Sequence, residues 1–136
     1  MKKLTFAMVA GFVVQMAGLL LIHSVWLKQD YIDTAGTWRT LEAAQARVWA
    51  MLLGTAIYIV GAVLIYERGR EAKSWIGQGT RFGILLSLVS VIYGSLSGWV
   101  ILPVPHQLVV KWIVGETGLA VALGLVIARI CQPAQR

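Results

Sequence analysis

Glu116 is the residue in this sequence best placed to do chemistry. It is the only carboxylate deep inside an apolar run, about 8 residues and so roughly 12 Å along a helix from the nearer end of that run. An unpaired charge at such a depth costs on the order of 3 kcal/mol on insertion scales, so the acid is expected to face other helices and to be paired or protonated. Gln15, Tyr58 and Tyr93 stand at comparable depth in the other three runs and are its expected partners, forming an intramembrane polar site. His23 and Lys111 lie nearer the surface, and Lys111, five residues away, is on another face of the same helix. Two kinds of role suit such an acid: a proton or cation relay or ligand anchor, and a structural hydrogen bond that fixes helix register.

Other reactive groups are few. His23 and His106 both fall towards one side of the apolar runs and raise the question of a haem, pigment or metal between them. Two histidines beside tryptophans, with no further ligand spacing, read more simply as interfacial polar groups, so no cofactor and no metal is expected. Cys131 is the only cysteine and excludes an internal disulfide. No nucleophile stands with a base, and neither a phosphate loop nor a zinc spacing occurs, so the residues point away from an enzyme.

The elements that must position Glu116 are four apolar runs, at 4–27, 48–66, 79–102 and 108–130. Of 136 residues 58% are hydrophobic and only 13% charged, and the charges gather in short blocks between the runs, as expected where lipid solvates most of the surface. Each run is long enough to cross a hydrocarbon core of about 30 Å as a helix, and an open sheet would leave its edge amides bare there. The expected fold is therefore all-α: one integral membrane domain, a four-helix transmembrane bundle without a soluble domain. The first run follows Met1-Lys2-Lys3 like a secretory leader, but His23-Ser24-Val25-Trp26 is a poor cleavage site, and the run is expected to stay as a span.

Basic residues set the expected orientation. One side collects Lys2, Lys3, Arg68, Arg70, Lys73, Arg81, Arg129 and Arg136; the other collects only Lys28, Arg39, Arg47 and Lys111, together with Asp30, Asp33 and Glu42. The richer side is expected to be cytoplasmic, which puts both termini there. A basic face meeting anionic headgroups accounts for the net charge of +6 without a nucleic-acid partner. Trp26, Trp38, Trp49, Trp99 and Trp112 gather at the opposite, outer boundary as an interfacial belt. Within the long outer connection, Thr37 or Thr40 is suited to cap a short helix through Leu41–Gln45.

Small residues recur at four-residue spacing where helix backbones can approach. The third run shows Gly79, Gly83 and Ser87, then Ser90, Gly94 and Gly98; the fourth shows Ala120, Gly124 and Ala128; the second shows Ala50 and Gly54, and the first Ala7 and Gly11. Their density makes the third run the expected central helix. In the loop between the second and third runs, Glu67 and Arg70 have the spacing of a helical side-chain pair, and Arg81 is placed to pair with Glu67 or Glu71.

Gly79-Thr80-Arg81-Phe82-Gly83, with the loop before it from Tyr66 and the later Pro103-Val104-Pro105 and Lys111-Trp112, resembles a group of small four-helix bacterial inner-membrane proteins of unknown function. The resemblance implies a four-span fold in a bacterial inner membrane and carries over no catalytic residue. Two functions are expected. One is a non-catalytic accessory or structural subunit that packs against larger membrane-protein partners, or against copies of itself, and against membrane lipids. The alternative is a small transporter, channel or lipid-handling protein built on Glu116.

Overall fold

The computed structural model describes residues 2–71 and 73–132. Helix α1 (Lys2–Leu20) continues without a break into a π-helical segment, Leu21–Trp26. The long connection holds α2 (Lys28–Asp33), a 3₁₀ turn (Ala35–Thr37) and α3 (Leu41–Gln45). Helix α4 spans Val48–Gly69. The third long helix is α5 (Trp75–Ser87) and α6 (Tyr93–Ile101), joined by a second π segment, Leu88–Ile92. Helix α7 runs from His106 to Cys131. No strand occurs among the described residues, and four helices, Lys2–Trp26, Val48–Gly69, Trp75–Ile101 and His106–Cys131, are long and apolar enough to cross a membrane.

Local chemistry explains the boundaries. The Thr40 hydroxyl accepts the amide of Ala43 and so caps α3. Pro103 and Pro105 separate α6 from α7, where proline supplies no amide and disfavours helix in the residue before it. The third long helix begins at Trp75, earlier than the glycine pattern indicates. Its Gln78 side chain accepts the amide of Glu71 at 2.7 Å and donates to the carbonyls of Glu71 and Lys73, so the loop folds back onto the first turn of α5. Glu67 pairs with Arg70 at 2.9 Å, and Arg81 with Glu71 at 3.5 Å.

Packing corrects the expected centre of the bundle. Helix α7, not the third long helix, is the hub: α5 and α1 both lie along it, and α4 rests mainly on α1. Leu119, Ala120, Leu123, Gly124, Ile127 and Ala128 of α7 are buried. A Cβ on Gly83 would stand 2.5 Å from both the carbonyl oxygen of Ala120 and the Cα of Val121, and one on Gly79 would stand 2.8 Å from the carbonyl oxygen of Gly124. Gly124 is equally closed by the backbone of Gly79 and Gly83, so here two helices touch through their main chains. Ser87, fully buried, donates to the carbonyl of Ile84 at 2.8 Å. Gly94 and Gly98 have no such role, since an added Cβ at either would meet nothing within 4 Å. The stripe stops closing the interface because the π segment intervenes and turns the later glycines away from α7. On α1, Gly18 faces Leu119 and Gly11 faces Ile59 and Leu123.

Two apolar cores result. The larger lies towards the termini and joins Ala7, Ile59, Val63, Leu123 and Ile127. The smaller lies at the long-connection end and joins Leu27, Val104, Leu108, Val109 and Trp112. Phe6, Val9, Val13, Ile57, Val89, Val100 and Ile101 point outward uncovered, the distribution suited to a hydrocarbon solvent.

Candidate functional site

The polar groups of the bundle converge where both π segments lie. A π turn holds one residue more than an α turn and shifts the helix face that follows it. In the first long helix that turn carries His23, whose Nε2 lies 3.3 Å from Glu116 Oε1. Helix α2 brings Tyr31 to the other ring nitrogen of the imidazole, its hydroxyl 2.6 Å from His23 Nδ1. The Trp112 indole N–H donates to the same hydroxyl at 2.8 Å. Indole nitrogen only donates, which leaves the phenolic proton free to point at Nδ1. The donors then run in one direction, from Trp112 to Tyr31 and from Tyr31 to His23, whose other ring nitrogen lies beside the carboxyl group of Glu116.

A second layer holds this chain in place. Lys111 donates to both carboxylate oxygens of Asp30, at 2.7 and 2.8 Å, fastening α2 to α7 one residue from Trp112 and one from Tyr31. Trp38 stacks edge-on against Tyr31 and Trp112, with centroids 5.2 and 6.1 Å away, and its indole N–H donates to Thr34 at 2.9 Å. Burial pushes the Tyr31 phenol above its ordinary value of 10.0; the Trp112 hydrogen bond pulls the other way, and the charges of Glu116 and Asp30 add to the rise. Tyr31 is thus held as a neutral phenol able to donate.

On its other side Glu116 borders a cavity of about 270 Å³, lined also by Gln15, Leu19, Gly54, Thr55, Tyr58, Ser90 and Val91. Every long helix contributes. Glu116 and Tyr58 each stand ten residues in from the long-connection end of their helix, and Gln15 and Ser90 eleven, which places all four roughly 15 Å deep. Beside Tyr58, the Ser90 hydroxyl donates to the carbonyl of Leu86 at 2.7 Å. Gln15 Oε1 is buried and has no hydrogen-bond partner. A buried acceptor left bare costs about 1–3 kcal/mol.

Of the residues singled out from the sequence, Glu116, Gln15 and Tyr58 line this cavity, whereas Tyr93 is 70% exposed and outside it. His23 touches Glu116 directly. His106 is exposed at the start of α7, and among the described residues no three His, Cys, Asp or Glu side chains gather into a group able to hold a metal. The tryptophans divide. Trp38 and Trp112 belong to the polar network, Trp26 lies over Gly115, Trp99 donates to the carbonyl of Val104 at 3.2 Å, and Trp49 is exposed. Tyr31, Asp30, Thr55 and Ser90 were not picked out as site residues. For Ser90 and Thr55 the signal was present, a hydroxyl at the depth of Glu116; for Tyr31 it was not, because the return of α2 depends on tertiary contacts.

No protein-family profile matches the chain, and neither comparison with curated proteins nor comparison with solved structures finds a match.

Proposed function

We propose that this chain is a multi-pass protein of a bacterial inner membrane that binds a small solute in the cavity between its four long helices, with Glu116 as the polar anchor, in the manner of a small transporter. The observation that carries this reading is the position of Glu116, which lines a cavity walled by all four helices and touches His23, itself hydrogen-bonded to Tyr31 of the long connection. The two π segments supply the irregular backbone that straight spans lack. Sidedness rests on the distribution of Lys and Arg, which favours both termini in the cytoplasm and the long connection outside.

The test is a titration of the purified chain in detergent with small cationic, neutral and anionic solutes, followed by tryptophan fluorescence, since Trp112 sits in the chain that ends on Glu116. A saturable response that Glu116→Gln removes supports the reading. A response to no solute, or one that Glu116→Gln keeps, rejects it.

An accessory-subunit role is favoured by a different observation. Helix α4 rests mainly on α1, and Leu53, Ile57, Val60 and Ile65 on it are exposed, so much of its surface is uncovered. Purification from native membranes in mild detergent with a stoichiometric membrane-protein partner is the result expected of that role.

A further inference from the structure

We propose that a second cavity, between α4 and α5 at the terminal end of the bundle, binds one phospholipid of net negative charge, with the lipid phosphate on Arg81 and an acyl chain along the groove between the two helices. The site shares no residue with the Glu116 cavity and does not depend on solute binding there.

The cavity measures about 180 Å³. Gln78, Arg81, Phe82 and Leu85 fall at i, i+3, i+4 and i+7 and so make one wall from a single face of α5. Ile65 and Gly69, four residues apart on α4, make the facing wall. Helix α4 rests mainly on α1 and meets α5 through the edge contact of Tyr66 and Phe82, which leaves a groove between the two helices.

Charge at the mouth of this groove is unbalanced. The Gln78 side chain bonds the main chain of Glu71 and Lys73 and fixes the loop there. The Glu71 carboxylate is paired with Lys73, and Glu67 with Arg70. Arg81 keeps a surplus charge: its side chain is 68% exposed, and its one partner among the described residues is a Glu71 oxygen at 3.5 Å. Most of the five N–H donors of the guanidinium are therefore open, in the fork that a phosphate accepts through two parallel bonds. Arg68, beside Gly69, adds a second cation whose partner among the described residues is a carbonyl, that of Leu64. A zwitterionic headgroup brings its own ammonium and leaves this surplus in place, whereas an anionic headgroup removes it.

Polarity falls away from the mouth as a lipid requires. Leu85 lies about 6 Å beyond Arg81 along α5. Further towards the middle of the bundle, Leu88 and Val89 on the third long helix and Val60 on α4 are exposed apolar side chains that a chain rooted at Arg81 can follow. A free phosphate ion has no use for Ile65, Phe82 and Leu85; a lipid uses both the guanidinium and the apolar wall.

The experiment is native mass spectrometry of the purified full chain in detergent, titrated with dioleoyl phosphatidylglycerol and dioleoyl phosphatidylethanolamine, with glycerophosphoglycerol and inorganic phosphate as soluble competitors. Wild type is expected to retain one phosphatidylglycerol per chain, about tenfold more tightly than phosphatidylethanolamine, and Arg81→Gln should erase that difference. Arg81→Lys should fall between the two, since an ammonium keeps the charge and loses the fork. Lys2→Gln removes one charge from the same end outside the cavity and should leave affinity within about twofold. Leu85→Trp, which fills the apolar part, should weaken phosphatidylglycerol about fivefold with Arg81 intact. If Arg81→Gln is not monodisperse, Arg81→Lys and the headgroup comparison on wild type decide the same point. Equal retention of the two lipids overturns the charge class. Displacement of phosphatidylglycerol by equimolar glycerophosphoglycerol or phosphate overturns the lipid in favour of a soluble phosphate ligand. Equal losses in Lys2→Gln and Arg81→Gln overturn the site and leave only the general attraction of a basic end for anionic lipid.

Discussion

The two ends of the bundle solve the same packing problem in opposite ways. Towards the termini, α5 and α7 meet main chain to main chain at Gly79, Gly83 and Gly124, apolar side chains fill the core beside that seam, and a cavity of about 180 Å³ remains only between α4 and α5, at Tyr66, Gln78, Arg81 and Phe82. The edge of Phe82 meets Tyr66 with centroids 5.3 Å apart, Arg129 lies over the Trp75 ring at 5.4 Å, and Arg70 donates to the last-turn carbonyl of Cys131 at 2.8 Å. Towards the long connection the helices are interrupted by π turns, polar side chains reach across the gap, and a cavity remains. Contact between backbones excludes anything else, whereas side-chain bridges hold helices at a distance and leave room. The difference separates a half whose α5–α7 seam is closed by main-chain contact from a half whose cavity is shared by all four long helices.

The largest effect that tests this contrast is steric. Gly83→Leu must push α5 off α7, because even a Cβ there would lie 2.5 Å from main-chain atoms that cannot swing aside. The variant is expected to fail to give a monodisperse bundle in mild detergent, a cost above the ~1–3 kcal/mol usual for overpacking. Gly94→Leu, the same change beyond the π segment, should purify and melt like wild type. Equal damage from both would mean that the third long helix packs along its whole length and that the two ends do not differ.

Next in size is the hydroxyl that joins the polar chain. Tyr31→Phe leaves the Trp112 N–H and His23 Nδ1 without their shared partner, and should cost about 1–3 kcal/mol in thermal or SDS-induced unfolding. The phenol itself gives a gentler check. Its folded-state value is raised, so its contribution to stability is complete below the ordinary phenol range near pH 10 and is lost as pH rises through the folded-state value. Ultraviolet titration of phenolate absorbance should lose one component above 10 when Tyr31→Phe is compared with wild type. A Tyr31 that ionises at its ordinary value would show the network open to water.

How far the sequence reached follows the same division. The four apolar helices, the Thr40 cap, the Glu67–Arg70 pair and the common depth of Glu116, Gln15 and Tyr58 were legible, because each depends on local spacing or on counting residues from a helix end. The identity of the central helix was not. Glycine density marks where close approach is allowed, and Gly94 and Gly98 show that permission is not contact. The π turns left no signature in the composition of Leu21–Trp26 or Leu88–Ile92, yet they decide which way His23 and Ser90 face. His23 does lie near the end of its helix, as counting residues indicates, but its contact with Glu116 was not legible from that count.

The smallest expected effect concerns the ion pairs, one at each end. Lys111 makes two hydrogen bonds to Asp30, whose side chain is 24% exposed, and the pair fastens α2 beneath the polar chain. Lys73 pairs with Glu71 on the open loop at the other end, where the carboxyl is held below its ordinary range chiefly by the hydrogen bond and charge of Lys73. For a carboxyl whose folded-state value is lowered, the stabilisation is present above the ordinary range and fades as pH falls through it. Glu71 is fully exposed, so salt screens even that contribution. Lys73→Met should therefore leave the melting temperature unchanged at neutral pH, and the loss of the pair should show only as an upward move of the Glu71 titration. Lys111→Met should cost about 1 kcal/mol, at the upper end for an ion pair that keeps some solvent. It should also reduce the fluorescence response of Trp112 to a bound solute, because α2 no longer holds Tyr31 between Trp112 and His23. If Lys111→Met proves as silent as Lys73→Met in both readouts, the long connection is not fastened by charge, and the apolar contacts of Leu27, Val104 and Leu108 alone hold Tyr31 in place.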